Sequence, residues 1–154
     1  MRNITLISTV HEEEGVCNAS TLHEILERAR PDVIFVEVAP SSFERYLKEK
    51  SEWNLETYAV NRYLETHSAA VEPVDLCDAP NDLIAAYGRL HREVRARSPE
   101  YSRLKYQDSQ HIAQYGFAYL NSRGLGGCYA IVIDSGCRLI TFTWIRGAVA
   151  FLRT

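Results

Sequence analysis

The hydrophobic and polar positions of the first forty residues form two apolar runs on either side of a segment with helical periodicity. The runs cover residues 3–10 and 32–38, and the second is almost continuously apolar, which is typical of a strand that helices cover on both faces. Between them, apolar residues recur at i, i+3, i+4 and i+7, which defines one face of an amphipathic helix. These positions are Leu22, Ile25, Leu26 and Ala29. The pattern predicts a strand–helix–strand unit with parallel strands and a right-handed crossover.

The ends of this first helix carry their own signals. Thr21 stands three residues before Glu24, which is the spacing of a capping box and predicts that the helix begins near Thr21. Pro31 follows the last apolar position and predicts that the helix ends before it.

Further helices and a third strand are predicted along the chain. Apolar residues at helical spacing indicate a helix that starts at Pro40-Ser41-Ser42, and others over about 53–66, 82–97 and 99–120. Gly116 disfavours helix near the end of the last of these. A strand is predicted within residues 69–76, where Pro73 lacks a backbone donor, so this strand is expected to be short or at an edge. The predicted fold class is α/β, with a mostly parallel, βαβ-based sheet flanked by helices.

The composition changes after Leu120. Residues 122–154 contain no Glu and no Lys, and strand propensity is high in 128–133 and 138–144, with Asp134-Ser135-Gly136 between them as a hairpin turn. Two interpretations remain open: a C-terminal hairpin that closes the same domain, or a foreign or frame-shifted terminus that replaces a longer C-terminal half. Residues 1–154 are thus predicted to form a single α/β domain, incomplete under the second interpretation, with 122–154 as a compositionally distinct tail.

Composition narrows the class of protein. The chain has 154 residues, of which 46% are hydrophobic, with a formal net charge of -3, so one soluble globular domain is expected and a nucleic-acid partner is not. No apolar run has the length of a membrane span. Four irregularly spaced cysteines and the absence of signal-peptide features predict free thiols in a reducing cytoplasm.

Ionisable residues stand at or just after the end of each predicted strand. They are His11, Glu37, and Asp75 with Asp78 close behind it. Because ligands of open α/β sheets bind at the carboxyl ends of the strands, these side chains are predicted to converge at one edge. Imidazole and carboxylates can bind a divalent metal or act as general acid and base. Glu37 lies within an apolar run and is expected to be partly buried, whereas His11 and the two aspartates also suit ordinary loop positions.

The first forty residues resemble a known superfamily. The segment from Ile4 to His11, the helix after it, and Arg30-Pro31-Asp32-Val33-Ile34-Phe35-Val36-Glu37 resemble the opening of the TraB/PrgY/TIKI/GumN superfamily. Its members have a Gly-x-x-His motif at the end of the first strand and a glutamate after an Arg-Pro-Asp-Val-Val-x-Val-Glu strand. The resemblance covers residues 3–39.

The resemblance implies an α/β fold related to the ChaN-like and erythromycin-esterase-like hydrolases. It also implies a hydrolase or peptidase site that depends on a divalent metal ion and includes His11 and Glu37, with Asp75 as a further candidate ligand. Ser8 stands at the family's first glycine. The family's second Gly-x-x-His is not found, and the nearest sequence is Gly147-Ala148-Val149-Ala150.

Three functional hypotheses follow. The first is a metal-dependent hydrolase that acts on a peptide or small molecule through a half-site of His11 and Glu37. The second is a non-catalytic remnant or binding module that keeps the fold without a complete active site. The third, an interaction protein, would use the tyrosines and arginines of residues 87–119.

Overall fold

A computed structural model describes residues 3–49, 54–75, 80–122 and 148–153. It combines helices with one sheet, as expected of the α/β class. The strands are β1 (Asn3–Ser8), β2 (Val33–Val36), β3 (Ala70–Pro73) and β4 (Ala148–Arg153). The α-helices are α1 (Ala19–Ala29), α2 (Phe43–Lys48), α3 (Leu55–Leu64), α4 (Asn81–Arg97) and α5 (Pro99–Leu120), and a 3₁₀ turn, Pro40–Ser42, leads into α2.

The sheet is mixed, which corrects the prediction that it is mostly parallel. Its strand order is β1-β4-β2-β3, with β4 antiparallel to both β1 and β2 and with β2 parallel to β3. Strands β1 and β2 therefore point in the same direction, as predicted for the strand–helix–strand unit, but they are not neighbours. The strand β4, which belongs to the C-terminal tail, lies between them and is paired with both.

The predicted hairpin strands at 128–133 and 138–144, with their turn, lie outside the described residues. What the structure describes of the tail is β4, which the sequence analysis did not single out as a strand. Each of its six residues is paired with β1, from Ala148 with Ser8 to Arg153 with Asn3.

The first helix begins earlier than the capping box predicted. Its N-cap is Asn18, whose side-chain oxygen accepts a hydrogen bond from the Thr21 backbone N–H. Thr21 therefore lies inside the first turn, and its hydroxyl also donates to Asn18. At the other end Arg30 adopts the left-handed conformation, with φ 45°, just before Pro31. Asn18 acts as the cap because its side-chain amide oxygen accepts a hydrogen bond from the third residue of the helix.

Strand β3 confirms both expectations for Pro73. It has four residues and lies at the edge of the sheet. Ala70 and Val74 donate their backbone N–H groups to Asp32 and Val36. Residues of the alternate parity direct their N–H groups away from β2, so Pro73 removes a donor that would have no strand to bond.

The core lies between the sheet and the helices α1, α3 and α5. The most deeply buried apolar side chains of the described residues include Leu22, Leu26, Ile34, Val36, Leu55, Ala59, Val60, Tyr63 and Leu120. Helix α4 has no fully buried residue. No described helix is long and apolar enough to cross a membrane.

Helix α5 fixes the loop between β1 and α1. The Val16 N–H donates to the Ala113 carbonyl (3.0 Å), and the Ser109 hydroxyl donates to the Glu14 carboxylate (2.8 Å). At Gly116 the helix departs from helical geometry, with φ 55°, which is the position where the sequence predicted a weak helix. This loop carries His11, so α5 helps to position the candidate site.

Candidate functional site

His11 and Glu37 lie beyond the same edge of the sheet. Ile7 of β1 and Val36 of β2 are both paired with Val149 of β4, so the ends of β1 and β2 are level. Because β4 separates them, the two strands are about 10 Å apart, which is two strand spacings. The predicted placement at one edge therefore stands, but the two side chains do not follow neighbouring strands.

Glu37 is exposed, contrary to the expectation that its apolar neighbours bury it. The strand β2 ends at Val36, and alternation directs residue 37 away from the core while Val36 and Ala39 are buried. Asp75 is also exposed, and its N–H donates to the Val38 carbonyl (3.3 Å). Asp78 lies outside the described residues.

A buried carboxylate that the sequence analysis did not single out contacts His11. Glu56, in the first turn of α3, has a side chain only 6% exposed, and its Oε1 lies 3.4 Å from His11 Nδ1. The same oxygen accepts a hydrogen bond of 2.6 Å from the buried Thr9 hydroxyl. Its other oxygen, Oε2, is buried, and no described residue forms a hydrogen bond with it. Glu56 therefore connects the end of β1, the His11 loop and α3.

The first turn of α3 also holds the backbone of the loop. The Leu55 N–H donates to the His11 carbonyl (3.2 Å), and Asn54, the N-cap of α3, has its Nδ2 atom 3.5 Å from His11 Nδ1. The acceptor of the helix cap is Asn54 Oδ1, which binds the Thr57 N–H and hydroxyl. The position of His11 is thus set by contacts at both its backbone and its ring.

The electrostatic environment favours the protonated form of His11. The hydrogen bond to Glu56 raises the pKa of His11, burial opposes this, and the charges of Glu56, Glu37 and Glu12 raise it further, with a net increase over 6.5. Exposed Glu37 thus still acts on His11 through its charge. A carboxylate next to Nδ1 also favours the proton on that nitrogen, which leaves Nε2 of the neutral ring as the basic atom.

Tyr46 is a second, partly buried group on which the Glu56 charge acts. Burial raises the pKa of Tyr46 to about 12, a hydrogen bond with Thr57 lowers it, and the Glu56 charge raises it. The phenol therefore stays neutral at physiological pH and is no candidate for a base.

His11 lies in a cleft of about 790 Å³ between the β1–α1 loop and the helices α1 and α3. The lining residues are His11, Glu12, Glu13, Ala19, Ser20, Asn54, Leu55, Tyr58, Arg62 and Glu65. The His11 side chain is 64% exposed, and no described residue forms a hydrogen bond or ion pair with its Nε2 atom. An imidazole with one nitrogen against a buried carboxylate and the other accessible is suited to proton transfer.

The fit of a metal ion can be tested on the residues present. Over the described ranges, no group of three or more His, Cys, Asp or Glu side chains is arranged to hold a metal. His11, Glu37 and Asp75 therefore do not form a complete ligand set by themselves. The divalent metal stays a prediction of the resemblance, and no step below passes through it.

Sequence reasoning missed Glu56 for a physical reason. A glutamate in the first turn of a helix is an ordinary stabilising feature, because its charge interacts well with the helix dipole. Its burial depends on the position of β1 and of the His11 loop, which are far away in sequence. A local signal was present in Asn54-Leu55-Glu56-Thr57, where Asn54 indicates a helix start, but nothing there marks the carboxylate as buried.

Comparisons with family models, curated proteins and solved structures give no match for this chain. The resemblance to the TraB/PrgY/TIKI/GumN superfamily thus rests on the pattern in residues 3–39. The structure adds one compatible detail: Ser8 lies in β1 and is not among the described residues with positive φ, so that position does not require glycine.

Proposed function

We propose that this chain is a hydrolase of the peptidase-like type that the superfamily resemblance implies, with His11 as the general base. The observation that supports this most directly is the contact between His11 Nδ1 and the buried Glu56 carboxylate. A buried carboxylate that orients a histidine and stabilises its protonated form is a recurring arrangement in hydrolytic sites. The cleft beside the exposed edge of the imidazole gives a substrate access to it.

The proposed reaction starts from neutral His11. Nε2 accepts a proton from a water molecule in the cleft, and the hydroxide attacks the carbonyl carbon of the substrate. The imidazolium is stabilised by Glu56 through Nδ1–H, and it returns the proton to the leaving group when the scissile bond breaks. Glu56 is a positioning residue in this scheme, and Glu37 contributes a more distant negative charge that also favours the imidazolium.

The predicted roles of Glu37 and Asp75 as metal ligands belong to the same proposal. A divalent metal bound there would supply an activated water at neutral pH. The further ligands that such a site needs are not found among the described residues, so the proton transfer at His11 carries the mechanism.

The test compares His11→Gln with His111→Gln, a matched change of an exposed histidine on α5 outside the cleft. The probes are p-nitrophenyl acetate and a mixture of short peptides, with hydrolysis followed by absorbance and mass spectrometry. We expect wild type and His111→Gln to hydrolyse a probe above the buffer rate, and His11→Gln to fall about 100-fold or more, as is usual for loss of a general base. Equal rates in His11→Gln and wild type would refute the proposal.

The second candidate function is a binding module. It is favoured by the presence of a single histidine, His11, among the described residues that line the cleft. In this case wild type and His11→Gln would both show only the buffer rate, while peptides from the same mixture would still bind, as seen by chemical-shift changes of the Tyr58 ring.

A further inference from the structure

Arg62 lines the cleft but is not paired with its acidic residues. Three carboxylates, Glu12, Glu13 and Glu65, line the same cleft, and Glu13 accepts a hydrogen bond from the Ala19 N–H (2.9 Å). Within the described part of the chain, no ion pair or hydrogen bond involves the Arg62 guanidinium. It is the one Arg or Lys of the described lining, so its five donors are available to a ligand.

Arg62 stands at a fixed distance from His11 along α3. Asn54, Tyr58 and Arg62 all line the cleft at intervals of four residues, so they share one face of the helix. Asn54 contacts His11, and at 1.5 Å per residue Arg62 lies about 12 Å further along the axis. An extended peptide of about three residues spans about 10 Å. The Arg62 side chain is long enough to reach over the remaining distance of about 2 Å along the helix axis. Tyr58, which is 49% exposed, offers an aromatic surface between the two ends.

The charges in the cleft restrict the ligand further. A guanidinium binds a carboxylate with two parallel hydrogen bonds, which gives directional recognition. The three glutamates would repel a ligand with several negative charges, so one carboxylate at the Arg62 end fits best. Backbone N–H groups of a peptide are suitable donors to the acidic walls nearer His11.

We infer that the cleft binds short peptides by their free C-terminal carboxylate, which Arg62 holds about three residues from the bond presented to His11. The position of the cleaved bond rests on the proposed hydrolase function. The binding of the carboxylate by Arg62 does not, because it needs no catalysis. Arg62 is thus assigned as the residue that selects the C-terminus of the substrate.

The experiment measures binding and cleavage separately. The probes are acetylated alanine peptides of increasing length, each with a free C-terminal acid or with a C-terminal amide. A third set carries one internal aspartate and a C-terminal amide, which separates a terminal carboxylate from a side-chain carboxylate. Affinity is measured by calorimetry and cleavage by mass spectrometry, for wild type, Arg62→Gln and Arg62→Lys. Arg89→Gln, on the exposed surface of α4, is the matched control.

We expect the acids to bind wild type and Arg89→Gln about fivefold or more tightly than the amides, which is the size of a charge-assisted contact at a partly exposed site. Arg62→Gln should remove this preference without changing the affinity for amides, and Arg62→Lys should restore part of it. Peptides that bind well should be cleaved about three residues from their C-terminus.

The outcomes separate this inference from the proposed function. Equal affinity for acids and amides in wild type, an unchanged preference in Arg62→Gln, or equal binding of the internal-aspartate peptides would overturn the inference, even if hydrolysis occurs. Tight acid binding that depends on Arg62 but persists without cleavage in wild type would support the inference and refute the hydrolase. Loss of cleavage but not of acid binding in His11→Gln would support both.

Discussion

The buried carboxylate of Glu56 is stabilised by its contacts with Thr9 and His11. One of its oxygens accepts a hydrogen bond from Thr9 and lies near His11, and the other has no hydrogen-bond partner among the residues that the structure describes. Glu56→Ala removes this charge but leaves the buried Thr9 hydroxyl unpaired, which costs about 1–3 kcal/mol. We therefore expect a lower free energy of unfolding in urea by about that amount. Glu65→Ala, an exposed change at the C-cap of α3, the opposite end of the same helix, should stay within about 0.5 kcal/mol of wild type.

The raised pKa of His11 predicts a pH dependence with a definite sign. Because the folded protein holds the proton more tightly than the unfolded chain, the contribution of His11 to stability is complete below pH 6.5 and is lost as the pH rises through the raised value. The stability difference between wild type and His11→Gln should thus shrink as the pH rises from below 6.5 through the raised pKa of His11. Urea unfolding at several pH values measures it.

Glu56→Gln provides the control for that dependence. It keeps an oxygen acceptor for Thr9 but removes the carboxylate whose hydrogen bond and, to a smaller extent, whose charge raise the pKa of His11. Titration of the His11 ring followed by NMR should show a pKa closer to 6.5 than in wild type, and the pH limb of any hydrolysis should move in the same direction. An unchanged His11 pKa in Glu56→Gln would show that Glu56 is not its partner.

The contrast between Glu37 and Glu56 shows what a single residue's sequence context reveals. His11 was predicted because it follows an apolar strand, at the end where open α/β sheets bind their ligands, and the structure places it in a cleft. Glu37 was predicted to be partly buried from its apolar neighbours, yet strand alternation exposes it. Burial depends on which face of an element meets the core, and for a residue at the end of a strand that face follows from distant contacts.

Gly15 tests how the His11 loop is held against α5. It has φ +57°, and a Cβ at this position would collide with the Ala113 carbonyl, which is a backbone atom that cannot rotate away. Gly15→Ala should therefore destabilise the fold by more than about 2 kcal/mol, since the left-handed conformation alone costs about 1–2 kcal/mol for alanine. Thermal unfolding measures the effect.

Gly88→Ala is the matched control. Gly88 lies inside α4, where the nearest atom to an added Cβ is the end of the Arg92 side chain at 3.6 Å. Alanine there should stabilise the protein by about 0.5–1 kcal/mol. Equal effects of the two changes would show that the loop does not pack on α5 as described.

Local elements were largely predictable because their signals are local. The periodicities predicted α1 and the helices that follow it, and the apolar runs predicted β1, β2 and β3. The start of α1 was misplaced because asparagine and threonine are both common N-cap residues. In the structure Asn18 is the N-cap, since its side chain accepts the hydrogen bond from the Thr21 N–H. The kink of α5 at Gly116 agrees with the expected weakness there.

The arrangement of the whole molecule was less predictable. The strand–helix–strand signal predicted that β1 and β2 run in the same direction, but their separation by β4 depends on residues more than a hundred positions away. The composition of the tail indicated strands without indicating partners. Sequence periodicity indicates which face of a strand is buried. It does not indicate which distant strand will pair with its backbone, so it cannot give the order of strands in a sheet.

The central position of β4 leads to a prediction that also bears on the origin of the tail. Ala150 is paired with Leu6 of β1 on one side and with Phe35 of β2 on the other. Ala150→Pro removes a backbone donor in the middle of the sheet and leaves its acceptor unpaired, so we expect a loss of about 1–3 kcal/mol in the free energy of unfolding. Ala150→Ser keeps the N–H and should have a much smaller effect. If urea unfolding of the two variants coincides, the tail does not form the central strand in solution, and the interpretation of residues 122–154 as a foreign terminus gains support; a large difference favours a tail that folds with the domain.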